Sequence, residues 1–325
     1  MKSLLKLAAI AAVATVGVIG SAHAEYPDKP VTLVVPYGPG GAADLAARII
    51  GNEAPEYLGN NVLVVNQAGA GGVVGSTMVF SAPKDGYTLL MSRVGSQATV
   101  PAMNETIPYK WDDYTMLGIV ETNPFAIAVK ADSPYKTFAD LAAAIKGGER
   151  LTYSSAGVGT LLHMAVLITL DDLGVDADAL IHVPFKGGGA ATTAVVTGNA
   201  DFIFHNLSGL IGPIQSKQMR ALMVTTPDRV AKLPDTPTAE EVGHPGLGAV
   251  IGWSGIWGPK DMDEAAAAKW VSTIDSLSKD ESWLKATTDL GSIPSIMSPD
   301  DTKVFVEKQF NSFRKVADKL GMVVR

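Results

Sequence analysis

Short apolar runs rich in β-branched residues alternate along this chain with alanine-rich stretches of helical length. The first three runs, at 31–35, 62–66 and 88–92, are separated by helical patterns at about 42–54 and 72–81. Neighbouring parallel strands need a crossover connection between them, and this connection is usually a helix. The alternation therefore predicts an α/β protein with parallel strands.

A second series of alternating runs begins near Phe125. It predicts strands at 126–129, 151–153, 181–184, 202–204, 221–225 and 253–257, and helices at 137–146, 160–173, 190–197, 263–277, 281–290 and 299–319. Single residues predict two further boundaries. Pro55 is expected to end the first helix, and Thr238 with Glu241 forms a capping box that is expected to begin a short helix.

The two series are not separated by a flexible linker or a low-complexity segment. A chain of 325 residues is long enough for two domains or one large one. We therefore expect two α/β lobes that the chain crosses more than once. Residues 25–124 and 246–325 would form lobe 1, and residues 125–245 would form lobe 2.

Four glycine-rich turns each connect a predicted strand to a predicted helix. These turns lie at 37–44, 66–72, 154–160 and 185–189. The first N–H groups of a helix have no partner within it, and the positive end of the helix dipole points at the preceding turn. Such a turn favours a small anion, and we predict that several of the four converge on one ligand.

The N-terminus has the pattern of an export signal. Lys2 and Lys6 precede an uncharged apolar run at 7–20, and Ala22 and Ala24 provide the small residues that signal peptidase requires. The run is shorter than the roughly 20 residues that span a bilayer. We expect residues 1–24 to be a signal peptide, cleaved after Ala24, and the mature protein to be periplasmic.

Composition and charge narrow the function further. The absence of cysteine predicts an exported protein stabilised by packing alone, without a thiolate site or a lipid-modified cysteine. A net charge of −7 without basic clusters argues against a nucleic-acid partner. Histidine, aspartate and glutamate nowhere show the spacing of metal ligands, so we predict no metal.

Two enzymatic interpretations are weaker than ligand binding. The stretch 38–43 matches the glycine pattern of dinucleotide-binding turns, but the acidic residue expected after the second strand is replaced by Asn66 and Gln67, so we predict no cofactor. A serine hydrolase would need Ser154 or Ser155 with His163, while the G-x-S-x-G elbow is absent. We favour no enzymatic activity and keep the hydrolase as an alternative.

Polar residues beside the turns have structural and functional interpretations. Asp44 favours the positive end of its helix, or fastens the glycine turn or binds a ligand amine. Ser155 and Thr160 are helix caps or anion ligands. Arg93 follows a predicted buried strand at the sheet edge where ligands bind, so it either holds a carboxylate bidentately or forms an ion pair between the lobes.

The order of these motifs along the chain resembles the Bug or TctC-type substrate-binding proteins of tripartite tricarboxylate transporters. The resemblance rests on 26–30, 34–44, 69–72, 85–89, 155–160 with His163, 182–187, 233–238 and 241–243. It covers nearly the whole mature chain. It implies a two-lobed periplasmic-binding-protein fold (type II-like) that closes on a small carboxylate in a cleft between its lobes.

The resemblance also implies the partners and the site. The partners would be a small mono- or dicarboxylate and a permease with large and small membrane subunits, and we expect the receptor to be a monomer. A receptor that feeds a membrane signalling protein is an alternative. The predicted ligand-binding residues combine the loops that the resemblance implies with our own choice of Arg93; they are Tyr37, Gly40, Gly41, Ala42, Asp44, Arg93, Ser154, Ser155, Gly157, Gly159, Thr160, Phe185, Gly187 and Asp201.

Four residues depart from the family pattern. Gln67 and Ala68 stand where an arginine and a proline are usual, Leu167 stands where a glutamate is usual, and Arg93 is not typical after its strand. The carboxylate-holding loops are retained, while the far end of the pocket differs. We predict that Arg93 binds a second carboxylate there.

Overall fold

The computed structural model describes residues 26–325, and the predicted signal peptide with its cleavage site lies outside them. The strands are β1 Val31–Val35, β2 Val62–Asn66, β3 Thr88–Arg93, β4 Tyr114–Lys130, β5 Thr152–Ser155, β6 Ile181–Pro184, β7 Phe202–Asn206, β8 Met219–Val224, β9 Ile251–Pro259 and β10 Ile293–Pro294. The α-helices are α1 Ala42–Leu58, α2 Val73–Phe80, α3 Val100–Met103, α4 Phe138–Lys146, α5 Leu161–Leu173, α6 Gly188–Val196, α7 Ile211–Gln215, α8 Glu264–Leu277, α9 Glu281–Asp289 and α10 Pro299–Lys319. None of the helices within residues 26–325 is long and apolar enough to cross a membrane.

The strands follow the order β2-β1-β3-β9-β4-β7-β5-β6, and β8 and β10 also pair with β4. In lobe 1, β1 pairs in parallel with β2 and β3, while β9 runs antiparallel between β3 and β4. In lobe 2, β5 pairs in parallel with β6 and β7. The strand β1 has four of its five residues buried, which is typical of a parallel strand covered on both faces.

The long strand β4 connects the two lobes. Its residues 114–124 pair with β9, and its residues 125–130 pair with β7 and β8. The predicted boundary between residues 124 and 125 lies at this change of partner. With the predicted lobe boundaries, the chain would return to lobe 1 just before β9, and two crossings would join the lobes.

Two predicted helix boundaries are wrong. The helix α1 continues past Pro55, because a proline in the last turn removes only a single amide donor. The helix is ended instead by its C-cap residue Gly59, which has a left-handed φ of 89°. The capping box forms at Thr238, where the Glu241 N–H donates to Oγ1 over 3.2 Å. No helix follows within the described chain there, because Thr238 pairs instead with Val224.

The sequence also missed the first half of β4. This segment contains two register shifts against β9, between Met116 and Gly118 and between Ile119 and Glu121. Such irregularities interrupt the alternation of side chains that makes a strand visible in a sequence.

Candidate functional site

The four glycine turns meet at the junction of the lobes. The Gly38 N–H donates to the Lys186 carbonyl over 2.8 Å, which joins the first turn to the fourth. A Cβ added to Gly71 would lie only 2.7 Å from the Val158 carbonyl oxygen, so the second turn packs closely against the third. The absence of side chains therefore lets the backbones of the two lobes touch.

Three long helices begin at this junction without a side-chain cap. Their N-cap residues are Gly41 for α1, Thr160 for α5 and Gly187 for α6, and none accepts a helix N–H through its side chain. The Thr160 hydroxyl donates instead to the Gly157 carbonyl over 2.8 Å. Every other helix of nine or more residues within residues 26–325 carries a side-chain cap, from Thr137, Asp263, Asp280 or Ser298, whereas the shorter helices α2, α3 and α7 carry none.

The uncapped helix ends surround one small space, here called the central cavity. Its volume is about 30 Å³. Its lining comprises Tyr37, Gly41, Ala42, Ala43, Arg93, Val94, Gly95, Ala156, Thr160, Leu161, Leu162, Gly188, His205 and Asn206. Positive helix ends and one arginine thus face a space that no acidic side chain lines within residues 26–325.

Arg93 lies in the wall of the central cavity and is only 4% exposed. Its Nη1 is 3.4 Å from Glu121 Oε1 and also donates to Ser254 Oγ, which in turn donates to Glu121 over 2.5 Å. Burial lowers the pKa of Arg93, and the Glu121 carboxylate opposes this effect. The ion pair exists within lobe 1, whereas the predicted alternative placed it between the lobes.

The ion pair leaves part of the guanidinium available. Among the described residues, no hydrogen bond involves Arg93 Nε or Nη2. A guanidinium carries five N–H donors in a planar fork and retains its charge in proteins. Arg93 can therefore pair with Glu121 and still donate into the cavity.

His205 and Asn206 also line the cavity, and the sequence analysis missed both. They end β7, at the same kind of position as Arg93 at the end of β3. His205 Nδ1 accepts the Asn206 N–H over 2.7 Å, and its Nε2 is buried without a partner among the described residues. Burial and the nearby Arg93 charge lower the pKa of His205 to about 3, so the imidazole is neutral at pH 7.

The predicted serine–histidine pair is not formed by the expected residues. Ser155 Oγ is hydrogen-bonded to His182 Nε2 over 2.6 Å, whereas His163 Nδ1 accepts the Gly159 N–H over 3.2 Å. The two imidazoles stack at 4.2 Å. Ser155 and Ser154 are fully buried, and Ser154 donates to the Ala191 carbonyl over 2.9 Å. These hydroxyls hold the turn at 154–160 in place and present no accessible nucleophile.

Asp44 fastens the first glycine turn. Its carboxylate accepts the Gly40 N–H over 3.0 Å, two donors of Arg48, and the Asn66 amide over 2.9 Å. Burial alone would raise the pKa of Asp44, but these hydrogen bonds outweigh it and lower the pKa. Of the interpretations above, the structure favours fastening of the turn.

The remaining predicted site residues lie at varying distances from the cavity. Gly157, Gly159 and Phe185 line an outer groove of about 750 Å³, which adjoins the cavity at Ala156. Gly187 precedes α6 and packs against Gly38. Asp201 precedes β7 at the end of the strand away from His205, where it accepts hydrogen bonds from Thr152. Asp201 is therefore not brought to the cavity.

The chain is similar to known proteins in family and in sequence. The model of the tripartite tricarboxylate transporter family receptor (TctC) matches residues 46–322. A UPF0065 protein from the tcbD-tcbE intergenic region of Pseudomonas sp. strain P51 is 35% identical over 253 residues, which are 77% of this chain and 74% of that protein.

Two solved structures are similar over most of the chain. The periplasmic binding protein BugD has a TM-score of 0.86 and 28% identity over 92% of this chain and 100% of its own. MatC from Rhodopseudomonas palustris with bound malate has a TM-score of 0.83 and 26% identity over 90% of this chain and 100% of its own. The predicted two-lobed periplasmic-binding-protein fold and the Bug/TctC resemblance are confirmed. The chain belongs to the receptor family of tripartite tricarboxylate transporters.

Proposed function

We propose that this protein is a periplasmic receptor that binds a small organic carboxylate in the central cavity and delivers it to a membrane permease with one large and one small subunit. One observation carries the proposal. Three helix N-termini without side-chain caps border a single cavity whose described lining contains no acidic residue. This arrangement binds a negative group by dipoles and amides, without chemistry on the ligand.

The helix ends come from both lobes, which couples binding to closure. Ala42 and Ala43 are in the first turn of α1 in lobe 1, and Leu161 and Leu162 are in the first turn of α5 in lobe 2. Amides of the first turn have no partner within the helix. A carboxylate accepts about four hydrogen bonds, so one group can accept from both helices and hold the lobes together.

Arg93 is proposed to bind a second acidic group. Its Nε and Nη2 are the donors that the ion pair with Glu121 leaves available. The malate of the related MatC is a dicarboxylate, which agrees with a second acidic group on the ligand. The small volume of the cavity places that group close to the first carboxylate.

Isothermal titration calorimetry with paired ligands tests the central proposal. Succinate, malate and glutarate are compared with their diamides, which keep the skeleton and lose the charge. We expect at least one acid to bind and its diamide to bind at least 100-fold more weakly. Equal binding of an acid and its diamide, or no binding by any organic acid in a broad panel, would overturn the proposal.

The role of Arg93 needs a double variant. The single change Arg93→Ala would leave Glu121 buried without its partner and destabilise the fold for that reason alone. The double variant Arg93→Gln/Glu121→Gln removes both charges, and Glu121→Gln alone is the control. Charge-assisted hydrogen bonds are worth about 1.5–3 kcal/mol, so the double variant should lose roughly 10- to 100-fold in succinate affinity relative to butyrate. An unchanged ratio would exclude Arg93 from ligand binding.

Export and delivery are tested in cells. Fractionation should recover the mature protein in the periplasm, beginning after Ala24. Deletion of the gene should abolish uptake of the acid identified by calorimetry, and a plasmid copy should restore it. Normal uptake with a lost transcriptional response to that acid would instead identify a signalling receptor.

A further inference from the structure

His205 contributes a hydrogen-bond donor that the protein itself does not use. The side chain is 2% exposed, and its Nδ1 is occupied as the acceptor of the Asn206 N–H. A neutral imidazole that accepts at one nitrogen donates at the other. Nε2 therefore carries the proton, and it has no partner among the described residues. Leaving a buried donor unpaired is costly, which indicates that a ligand completes this site.

The donor lies beside the carboxylate-binding end of the cavity. Gly188, in the first turn of α6, has no side chain and lies directly against the imidazole, where a Cβ would overlap Nε2. His205, Gly188 and the first turns of α1 and α5 all line the same space of about 30 Å³. A ligand atom that reaches Nε2 is therefore separated by few bonds from a carboxylate at the helix ends.

The donor carries no charge. The nearby guanidinium of Arg93 disfavours a second positive charge on His205, and burial acts in the same direction. Arg93 and the helix ends already provide the positive field for acidic groups. An uncharged donor in addition to these suits an uncharged acceptor, a hydroxyl or carbonyl oxygen.

We propose that His205 Nε2 donates to an uncharged oxygen on the carbon next to the bound carboxylate, and that the ligand is a 2-hydroxy or 2-oxo acid. This inference rests on the proposed function, because it assumes that a carboxylate binds at the helix ends. It makes His205 a specificity-determining residue. A hydroxyl ligand would donate its own proton elsewhere and accept from Nε2, whereas a carbonyl would only accept.

The test compares acids that differ only in this oxygen. Calorimetry measures the affinity ratio of malate to succinate and of 2-oxoglutarate to glutarate. A neutral hydrogen bond changes affinity roughly 3- to 10-fold, and more where its loss leaves the donor unpaired. We expect the wild-type protein to prefer at least one oxygen-bearing acid by this factor or more. His205→Leu should bring that ratio close to one, and His205→Gln, which keeps an N–H donor, should retain part of it.

A matched histidine variant and a second measurement control the test. His244 pairs with Asp172 and is not part of the cavity lining, so His244→Gln should leave the ratios unchanged. If the leucine variant fails to fold, ¹⁵N NMR of wild-type His205 replaces it. Malate should shift the Nε2 resonance in the direction of a stronger hydrogen bond, and succinate should not.

The outcomes separate this inference from the proposed function. Acids that bind without any preference for the oxygen, a preference that survives in folded His205→Leu, or an Nε2 resonance that malate leaves unmoved would each overturn the role of His205 alone. Failure of every acid to bind would overturn the proposed function first.

Discussion

At the lobe junction, glycine is required because a side chain would collide with the opposite backbone, and not only because glycine can adopt unusual backbone conformations. Gly189 lies inside α6, where alanine would normally be favoured by up to about 1 kcal/mol. A Cβ at this position would overlap the carbonyl oxygen of Pro39 in the other lobe. The helix therefore carries its least favourable ordinary residue because the opposite backbone leaves no room for another.

We predict that Gly189→Ala weakens ligand binding roughly 10- to 100-fold. The added methyl forces the first and fourth glycine turns apart, and overpacking of this kind costs about 1–3 kcal/mol. Calorimetry with the preferred acid measures the loss. Gly212→Ala is the control, since no atom lies within 4 Å of a Cβ at that helical position. Equal affinities for the two variants would contradict the prediction.

A stack of two histidines supports the turn at 154–160. His163 and His182 are nearly parallel, and their ring centroids are 4.2 Å apart. Burial lowers the pKa of His163 to about 3, with a further contribution from His182, and burial lowers the pKa of His182 to about 4. Both rings are therefore neutral; His163 accepts the Gly159 N–H, and His182 is hydrogen-bonded to the Ser155 hydroxyl.

The histidine stack makes stability depend on pH. Between pH 6.5 and 4 the unfolded chain binds protons at these histidines and the folded protein does not, so stability falls as the pH is lowered. Each histidine contributes at most about 1.4 kcal/mol per pH unit in this range. Urea titrations at pH 7, 6, 5 and 4 measure the effect.

The double variant His163→Gln/His182→Gln keeps hydrogen-bonding side chains without a titratable ring. Its free energy of unfolding should change less between pH 6.5 and 4 than that of the wild-type protein. Parallel curves for the two proteins would show that the stack does not titrate on unfolding.

At the scale of elements, the described helices of nine or more residues begin differently at the site and elsewhere. The helices α4, α8, α9 and α10 start with a threonine, aspartate or serine that caps the first turn. The helices α1, α5 and α6 start at the central cavity without such a cap. The two helices with a glycine N-cap give up only a few tenths of a kcal/mol in helix stability, and the amides of all three remain available to a ligand.

A cap introduced at the cavity should compete with the ligand. We predict that Thr160→Asp stabilises the start of α5 and weakens binding of the preferred acid by at least about 100-fold, because its carboxylate occupies the amides and repels the ligand. Calorimetry measures the binding, and thermal denaturation measures the stability. Thr137→Asp makes the same change at the N-cap of α4. Thr137 does not line the central cavity, so this variant should leave the affinity unchanged. Similar losses in both variants would contradict the special role of α5.

The sequence predicted the elements where the pattern is local. The buried β-branched run of β1 and the helical pattern predicted at 299–319 each identify their element within a few residues. The end of α1 predicted from Pro55 was wrong because a proline in the last turn removes only one amide donor. The first half of β4 was missed because its bulges against β9 depend on a partner more than 100 residues away.

The candidate site was predictable to a similar extent. A strand that turns through glycines into a helix is a local pattern, and it predicted the N-termini of α1, α5 and α6 as parts of the site. His205 gave the same signal as Arg93, a polar residue at the carboxyl end of a buried strand. That signal was not applied to β7, whose predicted end at residue 204 fell one residue short of the histidine. The pairing of Arg93 with Glu121 depends on the register of β3, β9 and β4, which no local pattern reveals.

At the scale of the whole molecule, backbone contacts between the lobes enclose the binding site. The contacts of Gly38 with Lys186 and of Gly71 with Val158 join the two lobes on either side of the central cavity. β4 and the segment before β9 are the two connections between the proposed lobes, and we predict that a change of angle there opens the cleft.

This architecture predicts that ligand makes the protein more compact in solution. Small-angle X-ray scattering should give a smaller radius of gyration when the preferred acid is present at 100 times its dissociation constant, a concentration at which linkage also adds about 2.7 kcal/mol to the free energy of unfolding. The ligand bridges α1 and α5, so its binding energy favours the closed arrangement over any open one. Thr160→Asp serves as the control, since it should show neither compaction nor stabilisation at the same concentration. Stabilisation of the wild-type protein without compaction would mean that the acid binds to a single lobe, and that the contacts between the glycine turns do not depend on the ligand.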